Sequence, residues 1–333
     1  MKKVALCVAM LFLMAVFSAP ASAKVVMNLG WQTADDSAYG ELVTIFSGLV
    51  DEYTGGEVVV KRRCCGQIGG EEDGFKSLQI GIVDGFIITM NNVSPHYPLM
   101  DVFVLPYIFN SLEHASQVLE GPIGDRFRDQ LYAKTGVYLL SYNAVEPRDM
   151  YNTKRPIRSM DDMKGLKLRV PKNKIMIRTF QAFGAEPVPL AWSEMSTALQ
   201  TGTVEGGDNG TFVIRSQKFF DLADNLTVLD HFTSFSPLFC SKRFLGKLTD
   251  AQREAVIKAG RDAGRIHRAN MLKKIEECRT YLEANGMKIT RPDRTPFIEA
   301  ARKLQDEILS KRSAEFREIV DQIRASSGSK TDA

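Results

Sequence analysis

Residues 25–89 read VVMNLGWQTADDSAYGELVTIFSGLVDEYTGGEVVVKRRCCGQIGGEEDGFKSLQIGIVDGFIIT, and their pattern decides the expected fold. Short β-rich runs alternate with helical stretches, in chain order Val25–Leu29, Asp36–Tyr53, Glu57–Lys61, Glu71–Ile80 and Gly85–Thr89. Glycine pairs at 55–56 and 69–70 mark turns between them. Strands joined through helices are typical of a parallel sheet that helices cover on both faces. The sequence therefore predicts an α/β fold.

The middle of the chain repeats this alternation. Its strands and helices are expected, in order, at Leu166–Val170, Lys174–Phe183, Ala185–Val188, Ser193–Gln200 and Val204–Glu205. Strand-like runs at Tyr138–Asn143 and Phe235–Ser241 lie on either side of this block. We interpret the block as a second α/β domain inserted into the first. The predicted limits are 24–145 plus about 228–265 for domain I, and 146–227 for domain II.

The last part of the chain is expected to be helical, over about residues 249–325. Thr249 to Gln252 form a capping box, in which two side chains satisfy each other's backbone donors at a helix start. Apolar residues then recur at helical spacing as far as Asn285-Gly286, which predicts a helix about 50 Å long. A helix of that length could brace both domains. A final helix is expected from Pro296 to Ala325, followed by a disordered tail at 326–333.

The first 23 residues differ from the rest of the chain. Lys2 and Lys3 precede an uncharged apolar run of 14 residues, Val4–Phe17, and Ala21-Ser22-Ala23 is a small-x-small cleavage site. We expect a signal peptide that is cleaved after Ala23, with an uncleaved anchor as the rival interpretation. The full chain has 333 residues and a formal net charge of +3 without a basic block, so composition does not favour nucleic-acid binding.

Motifs of enzymes and metal sites are missing from the sequence. It contains no G-x-S-x-G, P-loop, G-x-G-x-x-G, H-E-x-x-H or CxxC pattern. We therefore expect no catalytic residues, no metal and no cofactor. Export permits a disulfide. The adjacent pair Cys64-Cys65 could be bridged to Cys240 or Cys278, or all four could stay buried thiols.

A candidate binding residue stands on the predicted strand Leu166–Val170. Leu166, Leu168 and Val170 alternate on one face, so Arg169 projects from the other, and Pro171 ends the strand. Open α/β sheets bind ligands at the carboxyl ends of their strands. A guanidinium there can hold a carboxylate through two parallel hydrogen bonds. The alternative is an ordinary surface ion pair.

Several spaced motifs together resemble one family, the DctP-like solute receptors of tripartite ATP-independent periplasmic (TRAP) transporters. The motifs are Gln67–Gly70, Leu78–Gly81, Phe103–Tyr107, Gly165–Pro171, Phe183–Pro189, Trp192–Glu194, Ala198–Gly202 and Val204–Asn209. The resemblance implies a periplasmic, two-lobed receptor whose lobes close over an organic acid, with a long helix across both. It also implies delivery of that acid to integral membrane TRAP permease subunits.

The resemblance also implies roles for individual residues. Arg169 matches the arginine that pairs with the substrate carboxylate, and Arg148 matches a second basic position. Asn209 matches an amide that holds the same carboxylate, and Trp192 stands where an aromatic ring packs on the ligand. Six further residues are expected near the rest of the ligand: Gln32, Glu71, Glu72, Thr89, Phe212 and Phe235.

These positions favour a monocarboxylate with an apolar or aromatic body. Thr89 replaces an acidic residue found in some sugar-acid receptors, and Phe212 and Phe235 offer apolar faces. The alternatives are a C4-dicarboxylate, whose second carboxylate Arg148 would hold, and a sugar acid. Two other protein classes stay open, an ABC-type binding protein and a periplasmic enzyme.

Overall fold

A computed structural model describes residues 24–143 and 146–326. The predicted signal peptide at 1–23 lies outside the described residues, as do residues 327–333 of the predicted tail; Ser326 ends a helix. In the described part of the chain, no helix is both long and apolar enough to cross a membrane.

The strands fall into two sheets. In chain order they are β1 Val25–Gly30, β2 Val58–Arg63, β3 Gly85–Ile87, β4 Val137–Ser141, β5 Glu146–Asn152, β6 Lys167–Val170, β7 Glu186–Pro189, β8 Gly206–Gly210, β9 Asn225–Thr227, β10 Thr233–Ser234, β11 Leu238–Ser241 and β12 Lys288–Thr290. The first sheet has the order β2-β1-β3-β11-β4, and the second has the order β12-β9-β5-β8-β6-β7, with β10 paired to β5.

The predicted α/β class is confirmed, and so is the parallel pairing of the first three strands. β1 lies parallel to β2 and β3, whereas β11 is antiparallel to β3 and β4. The chain passes to the second sheet between β4 and β5, returns between β10 and β11, and enters the second sheet again at β12. The domain limits proposed from the sequence stay a prediction.

Helices connect and cover these strands. They are α1 Ala38–Thr54, α2 Glu71–Gln79, α3 Met90–Val93, α4 Leu112–Glu120, α5 Pro122–Thr135, α6 Lys174–Ala182, α7 Met195–Gln200, α8 Thr211–Ser216, α9 Lys242–Leu245, α10 Asp250–Ala284, α11 Thr295–Leu309 and α12 Ala314–Ser326. One apolar cluster contains residues of both sheets, among them Phe86 and Leu139 of the first and Met150 and Leu168 of the second.

The long helix α10 begins at the predicted capping box. Gln252 N donates to Thr249 Oγ1 over 3.2 Å, and Thr249 N donates to Gln252 Oε1 over 3.1 Å. Along its length α10 contacts both parts of the fold. His267 Nε2 lies 2.8 Å from the Ala38 carbonyl of α1, and Arg279 forms a buried ion pair with Asp149 of β5. The helix α10 therefore contacts both α1 and the second sheet.

Two expected elements are wrong in detail. The predicted strand Val204–Glu205 is a bend, and the strand β8 begins at Gly206. The predicted last helix is interrupted, because Ser313 Oγ accepts from Phe316 N over 3.2 Å and caps a new helix. Four strands, β5, β9, β10 and β12, have no counterpart among the predicted strands.

The cysteine pairing differs from both alternatives considered. Cys64 and Cys65 are bonded to each other, while Cys240 and Cys278 are buried free thiols. The sheet order explains why Cys240 is out of reach. Cys64 follows the edge strand β2, and Cys240 lies in β11, with β1 and β3 between them.

Candidate functional site

Most of the expected binding residues meet at one cavity of about 40 Å³. Six of them line it: Glu71, Thr89, Arg148, Arg169, Trp192 and Asn209. The three strands β5, β8 and β6 are neighbours in the second sheet and carry Arg148, Asn209 and Arg169. Glu71 begins α2, and Thr89 follows β3 of the first sheet. The cavity therefore lies where the two sheets face each other.

Arg169 is a buried cation without an acidic partner. Only 5% of its surface is exposed, and its Nε and one Nη donate to the Leu190 carbonyl over 3.0 and 2.8 Å. No carboxylate within residues 24–143 and 146–326 lies within 4.0 Å of its guanidinium. Burial lowers the pKa of Arg169, and the nearby charge of Arg148 lowers it further. A buried charge of this kind is stabilised by an anionic ligand.

Arg148, in contrast, already has a carboxylate partner. Its Nε lies 2.6 Å from Asp208 Oδ2, and its Nη2 donates to the Asp208 carbonyl. His231 Nε2 lies 3.3 Å from the same carboxylate oxygen. Burial alone would raise the pKa of Asp208, but Arg148 and His231 outweigh burial and hold it well below its usual range. Asp208 is therefore ionised and neutralises Arg148.

Asn209 and Trp192 flank Arg169. Tyr151 Oη donates to Asn209 Oδ1 over 3.3 Å, which fixes the side chain of Asn209 on the buried strand β8. The Trp192 ring centre lies 5.6 Å from the guanidinium carbon of Arg169, within the range of a cation–π contact. Both residues can therefore orient a group that binds Arg169.

Glu71 forms the opposite side of the cavity. Its Oε2 accepts from Thr89 N over 2.8 Å, from Thr89 Oγ1, and from Asn92 Nδ2 over 2.9 Å. Burial raises the pKa of Glu71, and these donors offset only part of the rise. Gln32 Oε1 accepts from the Glu71 backbone N–H over 3.0 Å. Carboxyl, amide and hydroxyl groups therefore replace the apolar wall that the sequence predicted.

Four expected residues do not line the cavity. Gln32 accepts from the backbone of Glu71, and Glu72 is exposed and pairs with Lys172 over 3.2 Å. Phe212 contributes a backbone N–H to Glu146 over 3.2 Å. Phe235 is only 2% exposed and packs in the core, where other aromatic rings surround it. Phe235 is therefore a core residue and does not line the cavity.

The sequence analysis missed several polar residues that do line the cavity. They are Thr33, Tyr39, Asn91, Asn92 and Ser234. The asparagines follow the carboxyl end of β3, so the rule that singled out Arg169 would also have found them. Tyr39 Oη lies 2.5 Å from Ser236 Oγ. No comparable signal marks Tyr39, because it stands in the first turn of an amphipathic helix.

Comparison with known proteins shows the family of the chain. The profile of the bacterial extracellular solute-binding protein family 7, DctP, matches residues 29–312. The chain belongs to this family. It is a DctP-like solute-binding protein of the TRAP class, as the motifs in its sequence predict, and the proteins of this family are periplasmic receptors.

Individual relatives cover nearly the whole chain. A solute-binding protein of Roseobacter denitrificans is 30% identical over 306 residues, which are 92% of this chain and 93% of that protein. Two solved structures of TRAP periplasmic solute binding proteins are similar to this DctP-like chain. One, from Polaromonas sp. JS666 and bound to D-erythronate, has a TM-score of 0.86 at 28% identity and covers 93% of this chain and 100% of its own. The other, from Roseobacter denitrificans with bound L-galactonate, has a TM-score of 0.84 at 29% identity and covers 91% and 99%.

Proposed function

We propose that this protein captures a sugar acid in the cavity between its two sheets and delivers it to a TRAP permease in the membrane. The observation that carries the proposal is the buried, unpaired guanidinium of Arg169 among hydrogen-bonding side chains. The carboxylate of the acid pairs with Arg169 and accepts from Asn209, and its hydroxyl groups bind the polar wall around Glu71 and Thr89. Erythronate and galactonate, the acids in the two similar structures, have this combination of one carboxylate and several hydroxyl groups.

The expected apolar or aromatic ligand is not retained. Phe235 belongs to the core, and Phe212 offers only its backbone N–H to a buried carboxyl group. Among the described lining residues, Tyr39 and Trp192 have aromatic side chains. Trp192 packs on Arg169. A bulky apolar ligand would displace water from Glu71, Thr89 and Asn92. It would offer these groups no hydrogen bonds in return, which is costly.

Binding is coupled to closure of the two lobes. In the present arrangement Lys172 pairs with Glu72 over 3.2 Å, and Asn173 Nδ2 lies 3.4 Å from the carbonyl of Asn91, a residue that lines the cavity. The closed form buries the Arg169 charge, which is unfavourable until a carboxylate arrives. The ligand therefore shifts the population towards the closed form by its preference for that form.

The location of the protein is part of the proposal. A mature chain that begins after Ala23 would act in the periplasm, where it meets both the free acid and the permease. Expression of the full chain in a Gram-negative host, with mass measurement of the periplasmic product, tests the cleavage site. A product that still contains residues 1–23 would contradict it.

A panel of acids tests the ligand class. The periplasmic protein is stripped of any bound molecule by dialysis and then melted with L-galactonate, D-erythronate, succinate or benzoate. We expect a higher midpoint temperature with at least one sugar acid, because a ligand that binds only the folded state stabilises it. Stabilisation by succinate or benzoate alone would contradict the proposal. Recovery of the bound acid unchanged, by mass spectrometry, distinguishes capture from turnover.

A further inference from the structure

We propose that Asp208 restricts this site to acids with a single carboxylate. The inference rests on the proposed function and specifies it further. The cavity has two arginines, which would suit a dicarboxylate if both were free. The charges around them show that only one is.

Asp208 occupies Arg148 on two of its three nitrogens. The carboxylate binds Nε, and the main-chain carbonyl of the same residue accepts from Nη2. A carboxylate needs two parallel N–H groups on one edge of a guanidinium for bidentate pairing. With Nε and Nη2 engaged, Arg148 keeps no free edge that includes Nε. Both hydrogens of Nη1 and the second hydrogen of Nη2 stay free, so Arg148 can still donate from its far edge to hydroxyl groups or to a carboxylate, but Asp208 already neutralises its charge.

The pair between Arg148 and Asp208 is also fixed by the fold. Arg148 lies opposite Gly210 in the antiparallel ladder of β5 and β8, and Asp208 lies opposite Met150. Asp208 is 1% exposed and Arg148 is 5% exposed. A ligand would have to break a buried ion pair to take over Arg148, and the carboxylate of Asp208 would then be left buried without its partner.

The charge balance of the cavity points the same way. Arg148 and Asp208 cancel, and Arg169 adds one positive charge. Glu71 then either carries a proton, which leaves a balance of +1, or is ionised, which leaves a balance of zero. In both states there is at most one uncompensated positive charge. With Glu71 protonated this charge matches a monoanion, whereas the second carboxylate of a dianion would be buried without a counter-charge in either state.

Matched acids that differ in one terminal group test this inference. D-galactonate carries a hydroxymethyl group where galactarate carries a second carboxylate, and D-gluconate and D-glucarate differ in the same way. Dissociation constants are measured by titration calorimetry at pH 7 with the wild-type protein. We expect at least one monoacid to bind at least tenfold more tightly than its diacid. A difference below tenfold in every pair that binds would overturn the inference and leave the proposed function standing. Binding of neither member of any pair, together with no response to L-galactonate or D-erythronate, would overturn both.

The variant Asp208→Asn tests the assignment to this residue. It frees the charge of Arg148, so the ratio of diacid to monoacid dissociation constants should fall at least tenfold. Asp221→Asn removes an exposed acid of the same lobe and controls for the change in net charge; its ratio should equal that of the wild type. A folded Asp208→Asn protein with the wild-type ratio would refute the role of Asp208. If that variant does not fold, the wild-type ratio still decides the selectivity.

Discussion

Replacing Arg169 with alanine removes the free cation of the site, and the structure gives the size of the effect. Its Nε–H and one hydrogen of Nη2 are engaged by the Leu190 carbonyl, so the ligand carboxylate meets the edge formed by Nη1 and the second hydrogen of Nη2. Truncating one partner of a buried, hydrogen-bonded charge pair costs about 2–5 kcal/mol. We expect the lower part of that range, about 2–3 kcal/mol, because Arg148 and Asn209 remain beside the carboxylate in the variant. This corresponds to a dissociation constant about 30- to 150-fold higher.

The assay is calorimetric titration with the sugar acid that the wild type binds most tightly. Arg169→Lys keeps the charge but lacks the planar fork of donors, so its loss should be intermediate, at about tenfold. Arg178→Ala is the matched control, because this arginine lies in the helix after the same strand, is partly exposed and pairs with Glu307. It should bind as the wild type does. An Arg169→Ala protein that is folded and binds within threefold of the wild type would refute the role of Arg169 in holding the carboxylate.

Three further predictions concern the ring, a buried acid and two glycines. Trp192→Ala should weaken binding about 2- to 30-fold in the same titration, because a cation–π contact with Arg169 is worth about 0.5–2 kcal/mol; an unchanged affinity would place the ring outside the site. Burial raises the pKa of Glu146 to about 8, from an ordinary value of 4.5. The folded protein therefore holds a proton that the unfolded chain releases, and stability should fall as pH rises from 4.5 to 8, on the order of 1 kcal/mol per pH unit. Urea unfolding at pH 5 and pH 8 should show this slope in the wild type and a smaller slope in Glu146→Gln, where Asp149, whose pKa burial raises to about 7, still contributes. Finally, Gly48→Ala should stabilise by about 0.5–1 kcal/mol, because no atom lies within 4 Å of the added methyl group. Gly264→Ala should destabilise in the same thermal melts, since its methyl group would lie 2.8 Å from Asn143 Oδ1 and Ser141 Cβ; equal signs for the two variants would contradict this packing argument.

The parts of the fold that the sequence predicts well are those whose periodicity comes from apolar burial. β1, α1 and α10 bury one regular face, so their spacing alone indicates the type of element. Arg169 is found for the same reason, since alternation along its strand separates it from Leu168 and Val170. The family motifs then indicate its role. At this strand the alternation of side chains and the proposed binding role indicate the same residue, Arg169.

In the part of the second sheet that lines the cavity, apolar periodicity does not indicate the strands. The strand β8 consists of Gly-Gly-Asp-Asn-Gly, a composition typical of turns. Its glycines are required by close contacts between strands. A methyl group on Gly206 would lie 2.1 Å from the Tyr151 carbonyl oxygen, and one on Gly210 would fall on the carboxyl group of Glu146. No propensity rule can anticipate a contact with a residue about 60 positions away.

The strand β5 shows why the partner of Arg148 could not be deduced from spacing. Its sequence, Glu-Pro-Arg-Asp-Met-Tyr-Asn, reads as a polar loop, yet every residue in it is buried. Neighbouring side chains of a strand project to opposite faces, so Arg148 and Asp149 find different partners, Asp208 on β8 and Arg279 on the long helix. Each pair compensates a charge that would otherwise exclude the strand from the interior. The ion pair with Asp208 allows β5 to be buried. In our proposal it also neutralises Arg148, so that this arginine is no independent site for a carboxylate. Strand formation and ligand selectivity then have one electrostatic cause.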